Sequence, residues 1–196
     1  MLKRLSLLAL VLAAAAFVSG CAHPISLGPD LDKVSSHTTT RIDKKVGYFI
    51  ADAERDRQVI TPGGGGDKVS YYPYRDLETA LYKSLSEVFT GVSKVSGPAD
   101  AKVQAEKLQL LISPRIITTS SSPSLLTWPP TQFGIELMCT VTDAQGQQVA
   151  QINVRGDGHA EFDDFKGDHS RAAKRASEEA MKNLIDVLSK SPALSR

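Results

Sequence analysis

Apolar residues recur along this chain with two periods, and the switches between them mark six elements. Val46-Gly47-Tyr48-Phe49-Ile50 is rich in β-formers and predicts a first strand. Over 76–89, Leu77, Ala80, Leu81, Ser84, Leu85 and Val88 return at spacings of three and four, which predicts a helix with one buried face. Gly91 is the expected stop. Over 105–117, Leu108, Leu110 and Ile112 alternate with Lys107, Gln109 and Leu111, a strand running on to Ile116 and Ile117. Pro114 has no N–H to give a ladder, so it should put the strand at an edge, bend it or end it. Phe133, Ile135, Leu137, Cys139 and Val141 then alternate with Gly134, Glu136, Met138 and Thr140. After a reversal at Asp143-Ala144-Gln145-Gly146, Ala150, Ile152 and Val154 alternate with Gln151, Asn153 and Arg155. Those two runs predict an antiparallel hairpin with one solvated face. A last helix is expected over 170–188, with Ala173, Ala176, Ser177, Ala180, Met181, Leu184, Val187 and Leu188 as its packing stripe. Its alanines allow close approach to a sheet, and Asp168 or Ser170 can cap its start.

The order strand, helix, three strands, helix predicts an α+β fold. Its expected form is a two-layer sandwich, an about four-stranded, mostly antiparallel sheet with two helices packed on one face. The helical crossover makes the first two strands parallel if they are neighbours. A small further strand is available at 69–72. Residues 45–190 form the expected single domain, with 191–196 as a C-terminal tail. Residues 21–44 carry Pro24, Gly28, Pro29, Ser35, Ser36 and three threonines without a sustained period, and read as a flexible tether.

The N-terminus reads as an address. Lys3 and Arg4 precede a charge-free run over 5–18 broken only by Ser6, a length short of the about 20 residues of a membrane span. Residues 1–20 therefore predict a secretion signal, cut between Gly20 and Cys21. Val18-Ser19-Gly20-Cys21 resembles the bacterial lipobox. The resemblance implies that the Cys21 thiol carries a diacylglyceryl group and becomes the new N-terminus, usually with a third acyl chain. Two or more chains make a stable anchor, where one is reversible. Ala22, in place of an aspartate after the cysteine, implies the outer membrane by similarity to enterobacterial sorting, with the domain facing the periplasm.

Charge narrows the function classes. Cleavage removes Lys3 and Arg4 and no acid, which takes the formal net charge from +1 to −1. A nucleic-acid binder would show a basic domain or stripe, so no nucleic-acid partner is expected. With Cys21 consumed by lipid, Cys139 stands alone, on the inward side of its strand. It reads as a buried small hydrophobe.

Candidate chemistry is sparse. Residues 63–66 are four glycines, but no Gly-Lys-Ser/Thr ending follows and Asp67 is negative, so they predict a flexible surface loop rather than a phosphate cradle. His23 and His37 have no ligand set around them. His159, Glu161, Asp163, Asp164, Asp168 and His169 are the densest polar cluster, and a metal-dependent hydrolase would use them. Their spacing matches no zinc or calcium motif, so no catalytic residue, metal or cofactor is expected. Two aromatic segments could meet a partner: Tyr71, Tyr72 and Tyr74, and the connection bearing Leu125, Leu126 and the single tryptophan, Trp128.

In element order the chain resembles small outer-membrane lipoproteins of the YajG-like and LPS-assembly types. The expectation is a non-enzymatic envelope protein, held on the membrane by its lipid. Its partner would be an envelope protein, peptidoglycan or a glycolipid. A homo-oligomeric secretion subunit is the other assembly reading.

Overall fold

The computed structural model describes residues 22–35 and 40–195. Residues 1–20, expected to be a secretion signal, lie outside the described residues, as do Cys21 and His37. In chain order the elements are β1 (His23–Pro24), β2 (Ile42–Tyr48), α1 (Asp52–Arg55), β3 (Val59–Pro62) and β4 (Lys68–Tyr71). Then come α2 (Pro73–Val88), β5 (Phe89–Lys94), α3 (Ala101–Ala105), β6 (Leu110–Ser121) and β7 (Gln132–Asp143). β8 (Gln148–His159), α4 (Arg171–Ser189) and α5 (Pro192–Ser195) complete the chain.

The fold is mixed α+β, with a main sheet of five strands rather than four, ordered β5-β2-β6-β7-β8. β2 runs parallel to both β5 and β6, while β6, β7 and β8 form antiparallel hairpins. A second sheet of three strands, β1-β4-β3, includes the small strand near 69–72. The small sheet adds β1 and β3, which the sequence reading lacked, and the main-sheet strand missing from it is β5. Gly91 does not end a helix there: α2 stops at Val88, and Phe89 starts the strand at once. Pro114 lies two residues past Ile112, the last β6 residue paired with β2. The β2 side of β6 is an edge from that point, so the missing N–H interrupts no ladder there.

α2 and α4 pack side by side on one face of the main sheet. The α2 residues Leu77, Ala80, Leu81, Ser84, Leu85 and Val88 are buried, as their spacing predicts. On α4, Ile185 is buried and Val187 is exposed, the reverse of the expected stripe. The alanines do bring this helix close. A Cβ at Gly158 of β8 would stand 1.9 Å from the Ala172 carbonyl oxygen, and one at Gly156 would stand 2.1 Å from that of Ala176. Glycine continues the inward face of β8 because no larger side chain fits beneath the helix backbone.

A smaller apolar cluster of Val95, Val103, Leu108 and Leu111 lies apart from the main core, with α3 supplying Val103. Leu108 therefore does not share a face with Leu110 and Ile112. Lys107, with φ of 55°, turns the chain between α3 and β6, so the strand's alternation begins only at Leu110.

The segment 22–35 departs most from expectation, because it is bound along the domain rather than free. β1 runs parallel to β4, and the Ile25 N–H donates to the Ser70 carbonyl at 2.9 Å. The Ser26 N–H donates to Ser170 Oγ at 3.0 Å and the Leu27 N–H to Asp76 Oδ2 at 3.1 Å. Ile25, Leu27 and Val34 join the main core, so apolar burial adds to these hydrogen bonds in holding the segment. The expected tail is likewise helical over Pro192–Ser195, with Leu194 buried. Among the described residues, no helix is long and apolar enough to cross a membrane.

Candidate functional site: the Trp128 loop

The connection from β6 to β7 is a long excursion held by glycine. The Gly64 N–H donates to the Trp128 carbonyl at 2.8 Å, and the Gly65 N–H to that of Ser124 at 3.1 Å. A Cβ at Gly63 would lie 2.3 Å from the Trp128 carbonyl oxygen, and one at Gly64 would lie 1.9 Å from that of Thr127. Backbone can meet backbone here only because neither position has a side chain. Gly65 and Gly66, with φ of 64° and 89°, close the turn in the left-handed region. The four glycines thus form a brace for the Trp128 loop. Gly65 and Gly66 are exposed, as a surface loop would be, but Gly63 and Gly64 are buried.

Trp128 is half-buried between two histidines. The His23 ring stacks on it, centroids 4.4 Å apart at 26°, and the His169 ring is tilted against it at 4.9 Å. His23 Nε2 also lies 3.7 Å from Asp67 Oδ1, just after the glycine turn. Two distant stretches of chain therefore meet on one indole. Leu125 and Leu126 project outward, 86% and 94% exposed, and Phe162 is 65% exposed. Leu126, Trp128, Phe162 and the buried Phe165 border a cleft of about 240 Å³. The Lys166 ammonium stands 5.9 Å from the centroid of the Phe162 ring.

The tyrosines divide differently. Tyr71 is 1% exposed, packs edge-on against Phe133, and its hydroxyl shares hydrogen bonds with Thr118 and Thr61 at 2.8 and 3.2 Å. The Tyr74 hydroxyl accepts from the Ile116 N–H at 3.2 Å. Both are core residues that tie the small sheet and α2 to β6, not contact residues. Only Tyr72 reaches the surface, beneath the Arg75 guanidinium at 3.7 Å.

Two carboxylates of the acid-rich stretch, Asp164 and Asp168, hold α4. Arg175 pairs with both Asp164 oxygens, at 2.8 and 2.9 Å, and also donates to the His159 carbonyl. That guanidinium keeps Asp164 below the usual carboxylate range. Burial pushes Asp168 up, but the Lys174 ammonium and the Ser170 N–H outweigh it, and the net shift is downward. Ser170 sits at the start of α4 without a side-chain cap, its hydroxyl accepting from Ser26 instead. His159 contacts Glu161 at 2.7 Å, and Lys166 pairs with Asp163. Among the described residues, no group of three or more His, Cys, Asp or Glu stands close enough to hold a metal ion. Cys139 is fully buried, and burial pushes its thiol up to about 12.

A second concavity, of about 610 Å³, lies where β6 ends, β7 begins and β8 ends, beside Gln132, Arg155, Asp157 and His159. Its charges are paired, with Arg155 donating to both Asp157 oxygens. The residue that sequence reasoning missed around Trp128 is His23. The signal for it was Ile25 and Leu27, two apolar residues at strand spacing directly after Pro24.

No family model matches the chain, and no curated protein matches it significantly. Among solved structures, it is similar to a Xanthomonas campestris protein described under the family DUF330. The identity is 11%, over 86% of this chain and 90% of that one, with a TM-score of 0.49. It is also similar to a Caulobacter crescentus protein described as a candidate lipoprotein. Here the identity is 13%, over 73% of this chain and 87% of that one, with a TM-score of 0.36.

Proposed function

We propose that this protein is a non-enzymatic lipoprotein of the outer membrane. In this reading it is anchored through lipid on Cys21, faces the periplasm, and binds another envelope component. The observation that carries the reading is Val18-Ser19-Gly20-Cys21 at the end of a charged and then apolar leader. An envelope protein, peptidoglycan or a glycolipid is the expected partner. The hydrolase reading gains nothing from the region 159–169, because Asp164 and Asp168 are engaged by Arg175 and Lys174.

The anchor is tested by radiolabelled palmitate in cells carrying the wild type or Cys21→Ala. Label on the wild type and its recovery with outer membranes are expected, with both lost in the variant. A variant that still takes up label and stays in membranes contradicts the anchor. Binding is tested by photocrosslinking in intact cells from Ile117, on the exposed side of β6. One discrete adduct to an envelope protein or glycan supports the reading. No adduct contradicts it, and an adduct of twice the chain mass replaces the partner with a second copy.

A further inference from the structure

We propose that the folded domain rests directly on the membrane that holds its lipid, with Leu125, Leu126 and Phe162 entering the headgroup layer. This inference builds on the lipidation of Cys21 and specifies how the anchored domain stands.

Chain length carries the argument. A free tether over 22–44 would let the domain stand off by up to about 75 Å at full extension. The structure removes that freedom, because β1 pairs with β4 from His23 onward and His23 stacks on Trp128. One peptide bond joins Cys21 to Ala22, so the Cα of Cys21 lies within about 8 Å of that of His23. The acyl chains therefore leave the domain beside the Trp128 loop, and the bilayer surface must lie there too.

The residues around that exit suit a bilayer. Leu125 and Leu126 are among the most exposed large apolar side chains described, and Phe162 borders the same cleft as Leu126. Exposed apolar side chains gathered on one face gain by leaving water. Trp128, with an apolar body and a polar N–H, is the residue type favoured at headgroup depth. A loop entering lipid must also keep its shape while its backbone loses water. The Gly63–Gly66 turn gives it that support, through hydrogen bonds to the Trp128 and Ser124 carbonyls.

Trp128 is the only tryptophan, so it reports on depth without labelling. The full lipidated protein is reconstituted in vesicles of phosphatidylethanolamine and phosphatidylglycerol doped with a lipid brominated high on its acyl chains. Flotation first scores the anchor, and Trp128 quenching then scores docking. The expected result is floated protein whose fluorescence is quenched. Leu125→Asp/Leu126→Asp/Phe162→Asp should float equally and lose that quenching. The milder Leu125→Ser/Leu126→Ser, at side chains outside the core, should lose part of it with an unchanged far-ultraviolet spectrum. Floated wild type without quenching overturns docking and leaves the anchor standing. Equal quenching of wild type and the triple variant overturns docking as well. Protein that carries no lipid and fails to float overturns the anchor, and docking with it.

Discussion

The imidazole of His23 lies on the indole of Trp128, ring centroids 4.4 Å apart and 26° from parallel. One residue stands two positions after the proposed lipid attachment site, and the other is more than a hundred positions away in a loop between long strands. Their contact fixes residue 23 against the loop that carries the exposed Leu125 and Leu126. His23→Ala is expected to open one face of the indole to water and shift Trp128 emission to longer wavelength. An unchanged spectrum would show that the two rings are not in contact in solution.

The bound N-terminal segment makes a stability prediction. Leu27 is fully buried, so Leu27→Ala should lower unfolding free energy by about 2–5 kcal/mol. Urea denaturation measures this. A flexible tether would give no change at all.

The glycine brace makes a second. At Gly64 a methyl group would sit 1.9 Å from the Thr127 carbonyl oxygen, and backbone must shift to admit it. Gly64→Ala should cost about 1–3 kcal/mol and alter the near-ultraviolet circular dichroism of Trp128. Gly66→Ala is the control for crowding, since nothing lies within 4 Å of a Cβ there, though its φ of 89° still adds backbone strain. It should leave the Trp128 signal unchanged.

Acid should loosen the charged seams. Burial pushes Glu78 up, yet the Lys94 ammonium and the Arg55 guanidinium, the latter at 2.8 Å, hold it lower overall. Asp168 is lowered in the same way by Lys174. A carboxylate lowered on folding contributes stability in full above its unfolded value, about 4. That contribution is lost as pH falls through the lower folded value. Wild type and Glu78→Gln should therefore differ in urea stability at neutral pH and converge below about pH 4. A difference that grows on acidification would contradict the assignment.

The two long helices and the β7–β8 hairpin were readable because burial there follows one clean period. Leu77 to Val88 and Phe133 to Val141 each present a single face to one core. β5 was not readable, because Phe89 passes from helix to strand without a turn residue between. Leu108 misled because the left-handed turn at Lys107 reverses the face it occupies. Tyr71 and Tyr74 read as contact residues, yet both are buried and their hydroxyls find partners on neighbouring strands, which composition cannot reveal. Of the Trp128 region, Leu125, Leu126 and Trp128 were visible as apolar residues in a polar connection. His23 and the glycine brace were not, since each is defined by a partner far away in the chain.

Anchoring through Cys21 is decided by the mass of the intact protein extracted from membranes. The expected mass is that of a chain beginning at Cys21 with a diacylglyceryl group and a further acyl chain, the lipid remaining on the N-terminal peptide after digestion. A chain that begins elsewhere, or begins at Cys21 with an unmodified thiol, would contradict it.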